Sequence, residues 1–216
     1  MTIKVLIVDD QQLVRSGFRL LLEAEDDITI AGEASTGVEA VAAAEMHKPD
    51  VIMMDIRMPD MDGIEATRSI VARHPDTRIL ALTTFDDEPT VRSMLAAGAS
   101  GFLLKDTEPA KLIEAIHVLH RGDALLSPSI TRLLLGDIAA AGNDTDRLQG
   151  LTDREIEVLT EVGRGLSNAE IADSLAMSPL TAKTHVSRLL KKLHLRDRVQ
   201  LAITAYETGL IRPGGS

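Results

Sequence analysis

The sequence predicts an α/β domain, a doubly wound five-stranded parallel sheet, joined to a small all-α helix-turn-helix domain. Three observations carry that expectation. Short apolar runs recur at a near-constant interval through the first half of the chain, and each interval holds a segment of helical period. Beyond residue 150 the pattern changes to short helices with clear capping signals. The boundaries drawn from these changes are a first domain at 1–126, a linker with partial helix at 127–149, and a second domain at 150–216.

The apolar runs are Lys4–Val8, Ile28–Gly32, Val51–Asp55, Arg78–Thr83 and Gly101–Leu104, with starts 24, 23, 27 and 23 residues apart. Between and after them lie Leu13–Glu25, Gly37–Met46, Gly63–His74, Glu88–Ala97 and Glu108–Arg121, each with helix-spaced apolar positions. Strands alternating with helices at this spacing give a parallel sheet. Runs such as KVLIV and VIMM do not alternate, as expected of strands covered on both faces. Asp60–Gly63 lacks the spacing of a calcium loop, and Asp62 reads as the cap of the helix that follows.

Sheets of this kind place their chemistry at the carboxyl ends of the strands. Those ends carry Asp9 and Asp10 after the first strand, Asp55 at the third, Thr83 and Thr84 at the fourth, and Lys105 after the fifth. Three carboxylates brought together need a counter-charge, which a hard cation such as Mg²⁺ supplies through oxygen ligands. With a lysine and a hydroxyl beside it, such a carboxylate is equipped to accept a phosphoryl group. The plainer alternatives are a helix cap for the Asp9–Asp10 pair and a surface position for Lys105.

Composition narrows the function classes. The 216 residues contain no Cys, which excludes disulfides, thiolate metal sites and a cysteine nucleophile. Four aromatic residues (Phe18, Phe85, Phe102, Tyr206) leave no stacking platform for single-stranded nucleic acid. No apolar run approaches the ~18 residues of a membrane helix, and the start has no signal-peptide plan, so a cytoplasmic location is expected. The net charge of −10 falls almost wholly on residues 1–126, with 12 Lys/Arg against 22 Asp/Glu. Residues 150–216 carry 9 against 8, and Lys183, Arg188, Lys191, Lys192, Arg196 and Arg198 form a local basic stripe.

Taken in order, Asp9–Asp10, MMDIRMPDMDG (Met53–Gly63), LTT (Leu82–Thr84) and GFLLKD (Gly101–Asp106) resemble the receiver domain of two-component response regulators, a flavodoxin-like fold, across about residues 3–122. The resemblance implies Asp55 as phosphoacceptor, and Mg²⁺ held by Asp10, Asp55 and the backbone carbonyl of Arg57, with Asp9 contributing through water. It further implies that Lys105 pairs with the phosphoryl oxygens. Thr83 and Phe102 become a switch pair in which the hydroxyl moves toward the phosphate and the ring turns inward.

In the second domain, Thr152–Glu155 and Ser167–Glu170 read as capping boxes, and Ser178 caps a third helix with Pro179 at its first position. The tight turn Ala176–Ser178 between two helices suggests helix-turn-helix. Helical angle places Ala182, Val186, Leu189, Leu190 and Leu193 toward the core. Thr184, Ser187, Arg188 and Lys191 point away from it, with Lys183 on the flank; Lys183, Thr184 and Ser187 are candidates for base edges, and Arg188, Lys191 and Lys192 for phosphates. A merely solvated face is the plain alternative. On the fourth helix, Leu201 and Ala205 form a second apolar strip that suggests a two-fold dimer surface. The stretch from Leu151 to about Leu210 resembles the LuxR/NarL-type DNA-binding domain.

With the receiver in front, the chain resembles a NarL/LuxR-type response regulator. The resemblance implies a transcription factor, not an enzyme in purpose, that is phosphorylated on Asp55 by a histidine kinase with Mg²⁺. Phosphorylation would control homodimerisation and binding to an inverted-repeat promoter site in double-stranded DNA. The alternatives are a phosphorylation-independent DNA-binding regulator that uses the receiver as a dimer scaffold, and a Mg²⁺-dependent phosphatase.

Overall fold

Parallel strands covered on both faces must alternate their side chains between two helical layers, and the first unit is built this way. The structure is a computed structural model and describes residues 2–83, 88–122 and 145–211. The chain divides into two units, Met1–Leu125 and Leu126–Ser216. The first contains β1 (Ile3–Val8), α1 (Gln12–Glu23), β2 (Ile28–Ala34), α2 (Gly37–His47), β3 (Val51–Asp55), α3 (Gly63–Arg73), β4 (Arg78–Thr83), α4 (Glu88–Ala96), β5 (Gly101–Leu104) and α5 (Pro109–His120). The strands pair in the order β2-β1-β3-β4-β5, and every neighbouring pair is parallel.

Ile3, Val5, Ile7, Val51, Met53, Leu80 and Leu82 bury one face of the sheet against Leu22 of α1 and Leu112, Ile116 and Leu119 of α5. The alternate residues Leu6, Val8, Ile52, Met54, Ile79 and Ala81 are equally buried on the other face. Because the chain leaves β1 for one side of the sheet and returns on the other, the crevice opens at the carboxyl ends of β1 and β3. Val8 pairs with Met54, which sets Asp9 beside Asp55.

The loop after β3 is folded tightly against its neighbours. The Gly63 amide donates to the Ile56 carbonyl at 2.9 Å, and Asp62 Oδ1 accepts from the Glu65 amide at 2.8 Å, capping α3 as expected. A Cβ at Gly63 would lie 2.0 Å from the Asp55 carbonyl oxygen, so only glycine fits here. A Cβ at Gly37, which starts α2, would lie 2.4 Å from the Met61 carbonyl oxygen of the same loop.

The second unit contains the 3₁₀ turn Thr145–Leu148, then α6 (Asp153–Gly163), α7 (Asn168–Ser174), α8 (Pro179–Lys192) and α9 (Arg198–Glu207). Residues 127–144 of the expected linker lie outside the described residues. Leu148 packs on the core of the second unit, so that unit starts before residue 150. Both expected capping boxes form, at Thr152/Glu155 and Ser167/Glu170, and Ser178 and Asp197 cap α8 and α9. Each such cap contributes about 1 kcal/mol.

One expectation fails. Leu201 and Ala205 do not form an exposed strip, because both are fully buried in the same core as Val158, Leu159 and Ala202. The reason is Gly163 at the end of α6. A Cβ there would stand 2.7 Å from the Ala205 side chain and 2.5 Å from Ile211. The missing side chain lets α9 and the following residues close onto α6, so α9 is covered on both sides and these two residues offer no dimer surface.

Gly63→Ala should lower stability by the upper part of the about 1–3 kcal/mol typical of overpacking, because backbone rather than a flexible side chain must yield. Urea unfolding followed by circular dichroism measures it, and an unchanged midpoint would contradict the tight β3–α3 loop.

Candidate functional site

Strand ends, not loops, deliver the charged groups of the first unit. Asp9 follows β1, Asp55 closes β3, and Lys105 follows β5 with its amide bonded to the Thr83 carbonyl at 2.8 Å. One carboxylate oxygen each from Asp9, Asp10 and Asp55 lie within 4.8 Å of one another. Asp9 is fully buried, Asp55 is 4 % exposed, and Asp10 faces solvent. Lys105 Nζ bridges the buried pair, at 2.6 Å from Asp9 Oδ2 and 2.8 Å from Asp55 Oδ2. Their other oxygens accept backbone amides: Asp9 Oδ1 from Gln11 at 2.9 Å, Asp55 Oδ1 from Arg57 at 3.4 Å.

Burial pushes the Asp55 carboxyl above the ordinary carboxylate range, and the hydrogen bond and charge of Lys105 offset this only in part. Burial alone would pull the Lys105 ammonium down, but its bonds to Asp55 and Asp9 outweigh that and raise it. The donor set fits a hard divalent cation: three carboxylate oxygens converge, Lys105 compensates part of their charge, and Asp10 leaves the cluster open to solvent. Thr83 is buried at the end of β4, adjacent to β5. Phe102 is 3 % exposed, its side chain buried on β5 beside β4.

In the second unit α8 turns Ala182, Val186 and Leu189 into the core, with Leu190 and Leu193 packed against it. Lys183, Thr184, Ser187, Arg188 and Lys191 are exposed on the opposite side, and the Thr184 hydroxyl donates back to the Leu180 carbonyl at 2.9 Å. Lys192 is exposed as well, and it also makes contacts within the unit. Its ammonium pairs at 2.7 Å with Glu155, a buried residue of the first turn of α6, and also reaches the Gly150 carbonyl at 3.3 Å. The Lys192 hydrogen bond, with those from Thr152, holds the Glu155 carboxyl down to about 2. Arg154 ties α6 to the Leu175 carbonyl at the turn of the helix pair. Arg198 is buried and bonds Asn168 Oδ1 at 2.8 Å and the Leu166 carbonyl.

Residues 5–117 match the family described as response regulator receiver domain, and residues 149–205 match the bacterial regulatory proteins of the luxR family. The chain belongs to the LuxR-type response regulators. Its relatives include YxjL of Bacillus subtilis, described as an uncharacterized transcriptional regulatory protein, 42 % identical over 213 residues that cover 97 % of this chain and 98 % of the relative. The response regulator VraR of Staphylococcus aureus is 38 % identical over 212 residues, 98 % of this chain and 100 % of the relative. The crystal structure of ChrA, the response regulator of a heme-sensing two-component system, aligns with a TM-score of 0.53 at 35 % identity over 97 % of this chain and 99 % of that one. RcsB of Salmonella typhimurium aligns at 0.56 and 26 % identity over 93 % and 96 %.

The chain is thus a two-component response regulator with a LuxR-type DNA-binding domain. Among its described residues no helix is long and apolar enough to cross a membrane. Sequence reasoning missed one residue of this regulator's basic face. Leu180 is 75 % exposed and lies, by helical angle, in the middle of the face made by Lys183, Thr184, Ser187 and Lys191. The signal was available: an apolar residue on the polar side of α8, in its first turn.

The Glu155–Lys192 pair sets a pH dependence. A carboxyl at about 2 when folded and near 4.5 when free leaves the unfolded chain binding more protons between these values. The pair's contribution is complete above pH 4.5 and is lost as pH falls toward 2. Tyr206 is the only tyrosine of a chain without Trp, so its fluorescence reports on this unit alone. Glu155→Gln should flatten the acid side of that unfolding profile; an unchanged profile would remove the pair's role.

Proposed function

We propose that Asp55 accepts a phosphoryl group from the phosphohistidine of a partner kinase, with Mg²⁺ bound, and that this controls homodimerisation and binding to an inverted-repeat promoter site in double-stranded DNA. The observation that carries the reading is the gathering of Asp9, Asp10 and Asp55 within 4.8 Å, with Lys105 Nζ 2.8 Å from Asp55 Oδ2. A carboxylate oxygen of Asp55 attacks phosphorus, and the phosphorus–nitrogen bond breaks with its electron pair going to the imidazole. Lys105, already at the pocket, donates to a phosphoryl oxygen, and the Thr83 hydroxyl at the neighbouring strand end supplies a second donor.

Asp10, Asp55 and the Arg57 carbonyl would hold Mg²⁺ directly and Asp9 through water. The ion would offset the charge that gathers on the phosphoryl oxygens. The receiver is a substrate that assists its own modification rather than a turnover enzyme. Lys183, Thr184 and Ser187 meet base edges in the major groove, and Arg188, Lys191 and Lys192 meet phosphates, Lys192 while also pairing with Glu155. Dimerisation uses a surface other than Leu201 and Ala205. A regulator of this kind works in the cytoplasm, where kinase and DNA are both within reach.

The decisive experiment incubates the full chain with Mg²⁺ and a small acyl-phosphate donor, then reads covalent phosphate, oligomeric state by light scattering, and DNA affinity. Wild type should take up a single phosphoryl group per chain, dimerise and bind DNA more tightly, and Asp55→Asn should do none of these. A gain in DNA binding by Asp55→Asn would favour the scaffold reading; continued release of phosphate from monoesters would favour a phosphatase.

Leu180 gives a second test on DNA selected from a random pool. At the recognition position of α8 an apolar side chain suits a thymine methyl. Replacing that thymine by uracil should weaken wild type about fourfold, the worth of one buried methyl at ~0.8 kcal/mol. Leu180→Ala should be indifferent to it. Equal sensitivity in both proteins would remove Leu180 from the base contacts.

A further inference from the structure

Asp9 and Asp10 sit at the junction of β1 and α1, and the direction of the Asp10 carboxylate depends on how the peptide between them is turned. Along β1 and β2 the register runs evenly from Ile3 opposite Ile28 to Val5 opposite Ile30, then slips, so that Leu6 stands opposite Gly32 and Ala31 is the extra residue. Since side chains alternate, one inserted residue reverses the facing of everything after it. In unbroken register Glu33 would stand opposite Val8. The slip sets it opposite Ile7, whose side chain belongs to the core shared with α1 and α5.

Glu33 is thereby turned toward α1. Its Oε2 lies 3.5 Å from Arg15 Nε, and Arg19 pairs with its Oε1. Arg15 then reaches the pocket from behind: its Nη1 donates to the backbone carbonyl of Asp9 at 2.7 Å. The side chains of Arg15 and Glu33 are only 16 % and 24 % exposed, so solvent does not compete freely for either. The Asp9 amide is fixed as well, donating at 3.2 Å to the carbonyl of Ala34, the residue after Glu33.

We infer that Arg15, oriented by Glu33, is a positioning residue for the metal-holding pocket, an inference that rests on the proposed role of Asp9, Asp10 and Asp55. The peptide is planar, so holding the Asp9 carbonyl also fixes the amide and Cα of Asp10, and with them the line along which its carboxylate projects. The bond is charge-assisted and half-buried, the stronger kind. Without Arg15 the carbonyl loses its partner, and the carboxylates no longer converge on one point. Arg15 touches neither metal nor phosphate; it acts through Asp9.

Calorimetric titration of the full chain with Mg²⁺ tests this on wild type, Arg15→Ala, Arg15→Lys, Glu33→Ala, the double variant Arg15→Ala/Glu33→Ala, and Asp10→Asn. Arg15→Ala should weaken Mg²⁺ binding by about tenfold or more, the usual consequence of losing an outer partner of a metal site. Arg15→Lys keeps one donor for the carbonyl and should recover part of the loss. Glu33→Ala should weaken binding less, and the double variant no more than Arg15→Ala alone, because Glu33 acts through Arg15.

Wild-type affinity in Arg15→Ala, or independent addition of the two losses, would overturn the inference. If Arg15→Ala does not fold, wild-type affinity in both Arg15→Lys and Glu33→Ala would overturn it. Failure of the wild type to bind Mg²⁺, or wild-type affinity in Asp10→Asn, would overturn the reading of the pocket itself and the inference with it.

Discussion

A single lysine between two buried carboxylates is the contact on which the carboxyl edge of the sheet depends. Asp9 and Asp55 are delivered by adjacent strands, because β1 and β3 pair in register up to Val8 and Met54. Two carboxylates set so close would not both ionise unaided. Lys105 comes from β5, two strands beyond β3, and spans the end of β4 to reach both at 2.6 and 2.8 Å. Few side chains other than lysine combine that reach with a point charge able to serve two acceptors. Compensation remains partial, since Asp55 still lies above the ordinary carboxylate range.

The second unit spends its charges differently. Its core is small, and one ion pair and two sets of charge-assisted hydrogen bonds supplement it: Glu155 with Lys192, Arg154 with the Leu175 carbonyl, and Arg198 with Asn168 and the Leu166 carbonyl. The first two start from the opening turn of α6 and hold α8 near both ends, one through the turn that precedes it and one through its last residue. The basic stripe is therefore divided. Lys183, Arg188 and Lys191 point outward, while Lys192 and Arg198 pair within the unit and Arg196 lies 3.3 Å from Asp197. These ties hold α8 and α9 in fixed places against α6 and α7.

That division marks where sequence reading reached its end. Strands, helices and caps were legible because apolar period, Ser/Thr/Asp caps and Pro179 are local signals, and all five strand starts fell within a residue of those observed. The acidic pocket was legible because the strand-end rule turns sequence position into spatial position. What stayed hidden depends on contacts between elements. Nothing local distinguishes Lys192 from Lys191, yet one helical step decides which meets Glu155. Gly163 ends α6, and only the packing of α9 shows that its missing side chain lets Leu201 and Ala205 be buried. The slip at Ala31, which carries β2 on to Ala34, leaves no mark in a run of mixed small residues.

The same pocket also explains why so much structure is tightly fitted around it. A buried carboxylate with incomplete compensation is a cost to the native state, and it persists only where the surroundings leave it no other position. Gly63 and Gly37 remove slack from the loop after β3, Arg15 removes it from the turn after β1, and the fully buried strands carry both. Any cation or donor that completes the charge balance binds the folded pocket and not the open chain, so it stabilises the fold by mass action. Rigidity there keeps Asp55 exposed to that gain: a slack pocket would relax by letting the carboxylates part, and the excess charge that favours a ligand would be lost.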